Sequence, residues 1–250
     1  MVHLRILSPV LLLMASPIVC GCAAAQQRSA PANQSTEHYS GLATQHEHSA
    51  WMRVAELIRA RSGRSVQCFQ DERCLDLVVQ DTSITGDSLN TGDTLTSALR
   101  DGFTEAAEEF ELSARMYDLA GVPQTAARAR TAAGVLRMEL GEDHAALENL
   151  GQAYFADPHE YRQARLSVIQ ERLKDQRVVI LVLANPPGLP YRMRFATDGA
   201  GAFVDKTATG TVRSRPGAYI FVAQNPHTGA SVVKRDVCSN DYDCTIDFRF

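Results

Sequence analysis

The strongest constraint on the fold is a change in apolar periodicity near Gln176. From Asp93 to about Asp175, small and apolar residues recur every three or four positions, which predicts helices. After Gln176, short runs of strand-forming residues alternate with turn sequences, which predicts strands. We therefore expect an α+β protein, in which a domain of helical hairpins over 93–176 is followed by a small antiparallel β-sandwich over 177–250.

Three apolar stripes divide the helical part into consecutive helices. Gly121 ends the first stripe and Gly141 ends the second, while Pro123 suits the first turn of the next helix. The stripes are Phe103, Ala107, Phe110, Ala114 and Tyr117; Ala126, Ala129, Ala133, Leu136 and Leu140; and Ala146, Leu150, Ala153 and Tyr154. Short helices with small-residue faces and short loops predict hairpins that stack on one another.

One frame within this part resembles a tetratricopeptide repeat, a helix–turn–helix unit of about 34 residues. The frame places glycines at the first helix and at the turn, small or apolar residues on the second helix, and a proline at the close. These residues are Gly134, Gly141, Ala146, Leu150, Ala153 and Pro158. The family's Trp and Tyr positions hold Arg130 and Arg137, and a weaker copy lies upstream around Gly102.

The resemblance implies a binding role for the helical part. Repeats of this kind present a concave surface to other proteins. By the family's geometry, the residues facing that surface are Arg128, Thr131, Val135, Met138 and Glu139. We expect these five residues to contact a protein partner.

The strand-rich part also carries a resemblance, in "RPGAYIFVAQNPHTGASVVKRDV". This stretch is similar to a strand and return strand of PEGA and carboxypeptidase-regulatory-like modules. The resemblance implies a non-catalytic surface module. If Tyr191 and Tyr219 were exposed on one face, they would favour a module that recognises a glycan or a peptide.

The N-terminus is typical of an exported protein. Arg5 precedes the apolar run "ILSPVLLLMASPIV", which is shorter than the ~18 residues of a membrane helix and predicts a signal peptide over 1–21. No later segment reaches that length, so we expect no transmembrane helix. Residues 26–43 are polar and lack apolar periodicity, which predicts a flexible tether over 22–43.

Two cleavage sites compete at the end of the apolar run. Val19 and Gly21 before Cys22 resemble a bacterial lipobox, which implies a diacylglyceryl group on Cys22. By the same resemblance, Ala23 after the cysteine implies sorting to the outer membrane. The "AAA" at 23–25 instead suits ordinary signal cleavage, which would leave a periplasmic or secreted protein.

The remaining cysteines form two pairs with equal spacing. Cys68 and Cys74 are separated by five residues, as are Cys238 and Cys244. In an oxidising compartment, two local disulfides are the simplest of the three possible pairings. A zinc site is disfavoured because its ligands usually have two to four residues between them. We expect one bridge in the segment 44–92, which also contains a helix from about 44 to 61, and one in the sandwich.

Composition and motifs favour binding over catalysis. The formal net charge of -4 provides no basic excess for nucleic acid. The "SVVK" at 231–234 reads as a strand without the helix start that a catalytic serine–lysine pair needs, and "HEH" at 46–48 lacks further ligands at metal spacing. We expect a non-enzymatic lipoprotein scaffold or assembly factor that binds another envelope protein and needs neither metal nor cofactor. The alternatives are a soluble periplasmic ligand-binding module and an accessory subunit of an envelope enzyme.

Overall fold

The computed structural model describes residues 30–62, 94–185, 187–206, 210–240 and 244–250, together with Glu72 and Leu75. Several of the predicted features lie outside these residues. They are the signal peptide, the lipidation site at Cys22, the Cys68–Cys74 pair and most of the segment 63–93.

The described residues confirm the α+β architecture, with helices first and strands after them. The helices are α1 (Ala30–Ser62), α2 (Thr94–Leu119), α3 (Pro123–Glu139), α4 (Asp143–Ala156) and α5 (Glu160–Arg172). The strands are β1 (Val178–Asn185), β2 (Tyr191–Phe195), β3 (Val204–Lys206), β4 (Gly210–Ser214), β5 (Gly217–Gln224), β6 (Ser231–Cys238) and β7 (Thr245–Arg249). The change near Gln176 therefore falls between α5 and β1.

Helix α1 begins at Ala30, so the predicted flexible tether is wrong for residues 30–43. Tertiary packing accounts for the helix near residue 43, whereas side chains 35–38 are exposed and have no such packing. Ala43 is fully buried in a small cluster with Tyr117 of α2 and Ala126 of α3. Ala43 lies one residue before the predicted helix start near residue 44, and packing of one face stabilises a helix more than local propensity does.

Helices α1 to α4 pack in sequence order, each against the next. Gly121 and Gly141 lie in the connections after α2 and α3 with φ of 72° and 76°, a left-handed conformation that suits glycine. Gly134 brings α3 and α4 together, because a Cβ at this position would lie 2.7 Å from Cγ of Leu150. Antiparallel hairpins with a close glycine contact are what the stripes predicted.

The strands form two sheets, in the orders β4-β1-β7 and β3-β2-β5-β6. Their facing sides enclose one core, which includes Ile180, Tyr191, Phe221 and Phe248. Strand β7 pairs with β1 in parallel, which departs from the predicted all-antiparallel sandwich. It arrives from β6 of the other sheet, so a crossover rather than a hairpin sets its direction.

Helix α4 packs on the second sheet and makes a third layer. Gly151 allows this approach, since a Cβ there would lie 2.6 Å from Cγ2 of Val237. Leu147 and Leu166 share a buried cluster with Val237 and Ala218. The helical part and the sandwich are thus joined by a common core.

Candidate functional site

The predicted binding face of the helices is largely buried in the structure. Thr131, Val135 and Met138 are at most 2% exposed. Val135 packs in the cluster that contains Leu75, and Met138 packs with residues of α4 and α5. The prediction that these three side chains contact a partner is therefore wrong, because the chain itself covers them.

Arg162 of α5 occupies the centre of the covered face. It is 3% exposed, and its guanidinium donates to Oγ1 of Thr131 at 2.8 Å, to both the backbone oxygen (2.7 Å) and Oδ2 (2.6 Å) of Asp157, and to Oε2 of Glu72 at 2.9 Å. His159 Nε2 lies 2.9 Å from the other oxygen of Glu72. A buried cation with this many partners stabilises the packing of three chain segments and leaves little capacity for a ligand.

Arg128, another residue of the predicted face, is also engaged inside the chain. Its Nε donates to Oε1 of Glu47 at 3.1 Å, and the hydroxyl of Tyr117 donates to Oε2 of Glu47 at 2.9 Å. Burial, and after it the charge of Glu47, raises the pKa of Tyr117, so the phenol stays protonated. This network joins α1, α2 and α3. Glu139 is the remaining residue of the set and is partly exposed.

A third arginine joins α2, α3 and α4. Arg137 donates from Nε to Oε1 of Glu111 at 3.0 Å and from Nη1 to Oε2 of Glu142 at 2.6 Å, while Asn149 donates to Glu111 at 2.9 Å. The two carboxylates raise the pKa of Arg137 despite its partial burial. Arg137, which stands at an aromatic position of the predicted repeat frame, therefore connects the three helices.

An open groove lies at one end of the sandwich, where β2 and β6 begin and β3 and β5 end. It has a volume of about 550 Å³. Its polar lining residues are Arg192, Asp205, Lys206, Gln224, Asn225 and Ser231. Pro190, Val222 and Pro226 add apolar surface. Because four strands meet here, the groove combines residues that are far apart in sequence.

The charged side chains of this groove, unlike the arginines of the helices, are not paired with other described side chains. Arg192 lies opposite Asp205 in the strand register, and Lys206 lies opposite Tyr191. Among the described residues, none of the three charged side chains forms an ion pair or a side-chain hydrogen bond. Arg192 instead places its guanidinium 5.2 Å from the ring centre of Phe203. Within the part of the chain that the structure describes, the groove thus presents two cations and one anion with free bonding capacity.

The rim of the groove is a well-ordered turn between β5 and β6. Oδ1 of Asn225 accepts from the backbone N–H groups of His227 at 2.9 Å and Thr228 at 3.2 Å. The backbone N–H of Asn225 donates to Ala230 at 2.8 Å, and Gly229 has a φ of 72°. Asn and Gly at these places are typical of such turns. The rim is therefore held in place before any ligand arrives.

Tyr191 and Tyr219, whose exposure would have favoured a module that recognises a glycan or a peptide, are both buried, at 2% exposure each. Tyr219 donates to the backbone oxygen of Arg215 at 2.7 Å and lies 2.7 Å from Oγ of Ser214, and burial raises its pKa to about 12. Tyr191 borders the groove, but its ring packs against Phe221 and its hydroxyl is buried without a hydrogen-bond partner. Burial also raises the pKa of Tyr191. Neither ring is a platform for a ligand.

A second cleft lies between α4 and β6 and is lined by His144, Asp236 and Ser239 among others. Nδ1 of His144 lies 2.7 Å from the backbone oxygen of Ser239, so this nitrogen carries the proton and donates. Burial raises the pKa of Asp236, partly opposed by the backbone N–H of Val237 at 2.9 Å. The bond from His144 connects the helical layer to the sandwich. Next to it, Cys238 and Cys244 form a disulfide, and their Cα atoms are 5.0 Å apart.

Sequence reasoning missed Arg192 and Lys206. The strand pattern in "YRMRF" and "VDK" showed which side chains alternate between faces. It carried no signal that the start of β2 and the end of β3 meet at one groove, since pairing register is a long-range property.

Comparisons with protein-family models, with curated proteins and with solved structures found no match. Within the described residues, no helix is long and apolar enough to cross a membrane. In the same part of the chain, no group of three His, Cys, Asp or Glu side chains could hold a metal ion.

Proposed function

We propose that this protein is an exported bacterial lipoprotein, anchored in the outer membrane through Cys22, that binds another envelope protein and performs no catalysis of its own. The sandwich groove is its binding surface. The helical part supports the sandwich and holds it away from the membrane.

The observation that carries this proposal is the contrast between the groove and the helical part. Arg128, Arg137 and Arg162 each bond carboxylates of their own chain. Arg192 and Lys206 lack such partners among the described residues and line an open surface. Polar groups satisfied within the chain build the fold, whereas exposed and unsatisfied ones are free to recognise a partner.

Helix α1 supports the role of a spacer. Cys22 stands eight positions before Ala30, where the helix begins. At 1.5 Å per residue, the part of α1 before Ala43 is about 20 Å long. Side chains 35–38 are exposed, and packing against α2 begins further along, at Ala43. A stiff helix of this kind would keep the sandwich at a more constant distance from a lipid surface than a flexible tether does.

Palmitate labelling tests the anchor. We expect cells to incorporate label into the wild type and the Cys20→Ala variant but not into Cys22→Ala, because lipidation requires the thiol of the cysteine after the cleavage site. The Cys22→Ala protein should move to the soluble fraction if ordinary cleavage at "AAA" takes over. Equal labelling of wild type and Cys22→Ala would refute the anchor at this residue.

Cross-linking in intact envelopes tests the binding role. We expect the wild type to yield a covalent complex with a second protein, and Arg192→Glu to lose most of it. Arg213→Glu is the matched control, because Arg213 is exposed on the other sheet, in register with Val179 and away from the groove. Recovery of monomer alone from wild-type envelopes would contradict the proposal.

A further inference from the structure

We infer that the sandwich groove recognises a carboxylate-bearing peptide segment of the partner, held by Arg192 and Lys206. This inference rests on the proposed binding function and adds the chemistry of the bound group. Three observations support it: the two cations lack partners among the described residues, the neutral lining residues carry amide and hydroxyl groups, and the sandwich is basic whereas the rest of the chain is acidic.

Arg192 is arranged as a carboxylate receptor. Its guanidinium lies 5.2 Å from the ring centre of Phe203, and the guanidinium of Arg194 lies 5.1 Å from the same ring centre. Arg194 is hydrogen-bonded within the chain, because its Nη1 donates to the backbone oxygens of Phe195 and Ala196. The ring contact restrains Arg192, and among the described residues its N–H donors have no hydrogen-bond partner. A planar guanidinium held in this way matches the two oxygens of a carboxylate.

Lys206 supplies a second cation, and Asp205 limits the affinity of the site for an anion. Both residues line the groove and belong to β3, an edge strand. Two cations and one anion leave a net charge of +1 among the charged lining residues. An acidic group is therefore favoured near Arg192 and Lys206, while Asp205 weakens its binding by repulsion.

The neutral lining favours a peptide over a sugar. The hydroxyl of Ser231 and Oε1 of Gln224 are of the kind that bond to peptide N–H and C=O groups, whereas Nε2 of Gln224 already donates to Gly229 and Oδ1 of Asn225 accepts within the turn. Tyr191 is the aromatic residue among the described lining, and it is 2% exposed, so it offers no ring face for a sugar to stack on. An open groove across strand ends suits an extended chain.

Charge is distributed unevenly along the protein. Residues 177–250 contain nine Lys or Arg and six Asp or Glu, whereas residues 1–176 contain 16 and 23. The sandwich is thus basic and the rest of the chain acidic. Long-range attraction would steer an acidic segment toward the sandwich and away from the helices.

Titration of labelled peptides by fluorescence anisotropy tests the inference with the full chain. Two peptides of equal length, one rich in Glu and one with Gln at the same positions, are compared at low ionic strength. We expect the Glu peptide to bind at least about tenfold more tightly, as one charge-assisted hydrogen bond is worth about that factor. Added salt should weaken its binding.

Three variants separate the groove from general surface charge. We expect Arg192→Gln to weaken binding of the Glu peptide about tenfold, Asp205→Asn to strengthen it, and Arg213→Gln to leave it unchanged. Equal affinity for the two peptides would overturn the inference. So would equal losses from Arg192→Gln and Arg213→Gln.

A uronic-acid oligosaccharide provides the competing ligand class. Binding of the oligosaccharide in place of the Glu peptide would overturn the assignment to a peptide. Failure of this inference is distinguishable from failure of the proposed function. If envelope cross-linking still yields a partner in Arg192→Glu, the binding function stands and the carboxylate groove is wrong.

Discussion

At the scale of single residues, Arg162 shows how one buried cation organises the helical part. Its partners come from α3, from the connection before α5, and from Glu72 in the long segment between α1 and α2. Burying a charge is costly unless its bonds are complete, and here every nitrogen of the guanidinium has a partner. The residue therefore links Glu72 to α3 and to the connection before α5.

Replacing Arg162 tests this role. We expect Arg162→Met to lower the free energy of unfolding by about 3–5 kcal/mol, because it leaves the buried carboxylate of Glu72 without its cation. The control is Arg53→Met, which removes an exposed pair with Glu105 and should cost less than about 1 kcal/mol. Urea denaturation followed by circular dichroism measures both. Equal losses would show that Arg162 contributes only as a surface charge does.

At the scale of elements, the hairpin of α3 and α4 depends on a close approach at Gly134. A Cβ there would lie 2.7 Å from Cγ of Leu150 and 3.3 Å from Cβ of Asn149. Leu150 is fully buried and cannot move aside easily. Gly41 of α1 is the opposite case, since a Cβ at that position would have no atom within 4 Å.

These two glycines form a matched pair for substitution by alanine. We expect Gly134→Ala to destabilise the protein by about 1–3 kcal/mol through overpacking. Gly41→Ala should stabilise it by about 0.5–1 kcal/mol, because alanine favours the helix and meets no obstacle. Thermal unfolding measures both shifts. A neutral Gly41→Ala would argue against a helix at residue 41, and a stabilising Gly134→Ala would argue against the close contact.

At the scale of the whole molecule, α4 connects the helical part to the sandwich. It shares one buried cluster with α5 and the second sheet, and His144 near its start bonds the chain after β6. Because this core crosses from one part to the other, unfolding of either part exposes apolar surface of the other. We expect the wild type to unfold in a single calorimetric transition.

Gly151→Ala tests the connection. The added Cβ would lie 2.6 Å from Cγ2 of Val237 and 3.3 Å from Cβ of Ala218, so we expect a loss of about 1–3 kcal/mol and a lower Tm. Gly199→Ala is the control, since a Cβ there meets no atom within 4 Å and its φ is -63°. Two separate transitions in the wild type, or an unchanged Tm in Gly151→Ala, would contradict a shared core.

The order and type of the elements followed from the sequence by itself. Helical stripes and strand runs are local patterns, and the turn glycines Gly121 and Gly141 adopt the positive φ that such positions favour. Because a period of 3.6 or of 2 is read within about ten residues, the α+β order could be predicted without knowledge of the packing.

Only the tertiary structure decided which surfaces remain open. Thr131, Val135 and Met138 have the right spacing for a binding face, yet the chain returns over them with Leu75, Glu72 and α5. The candidate groove joins Arg192 and Lys206 through the register of β2 and β3. Contacts between distant segments depend on the total free energy of packing, and no local pattern in the chain encodes that sum.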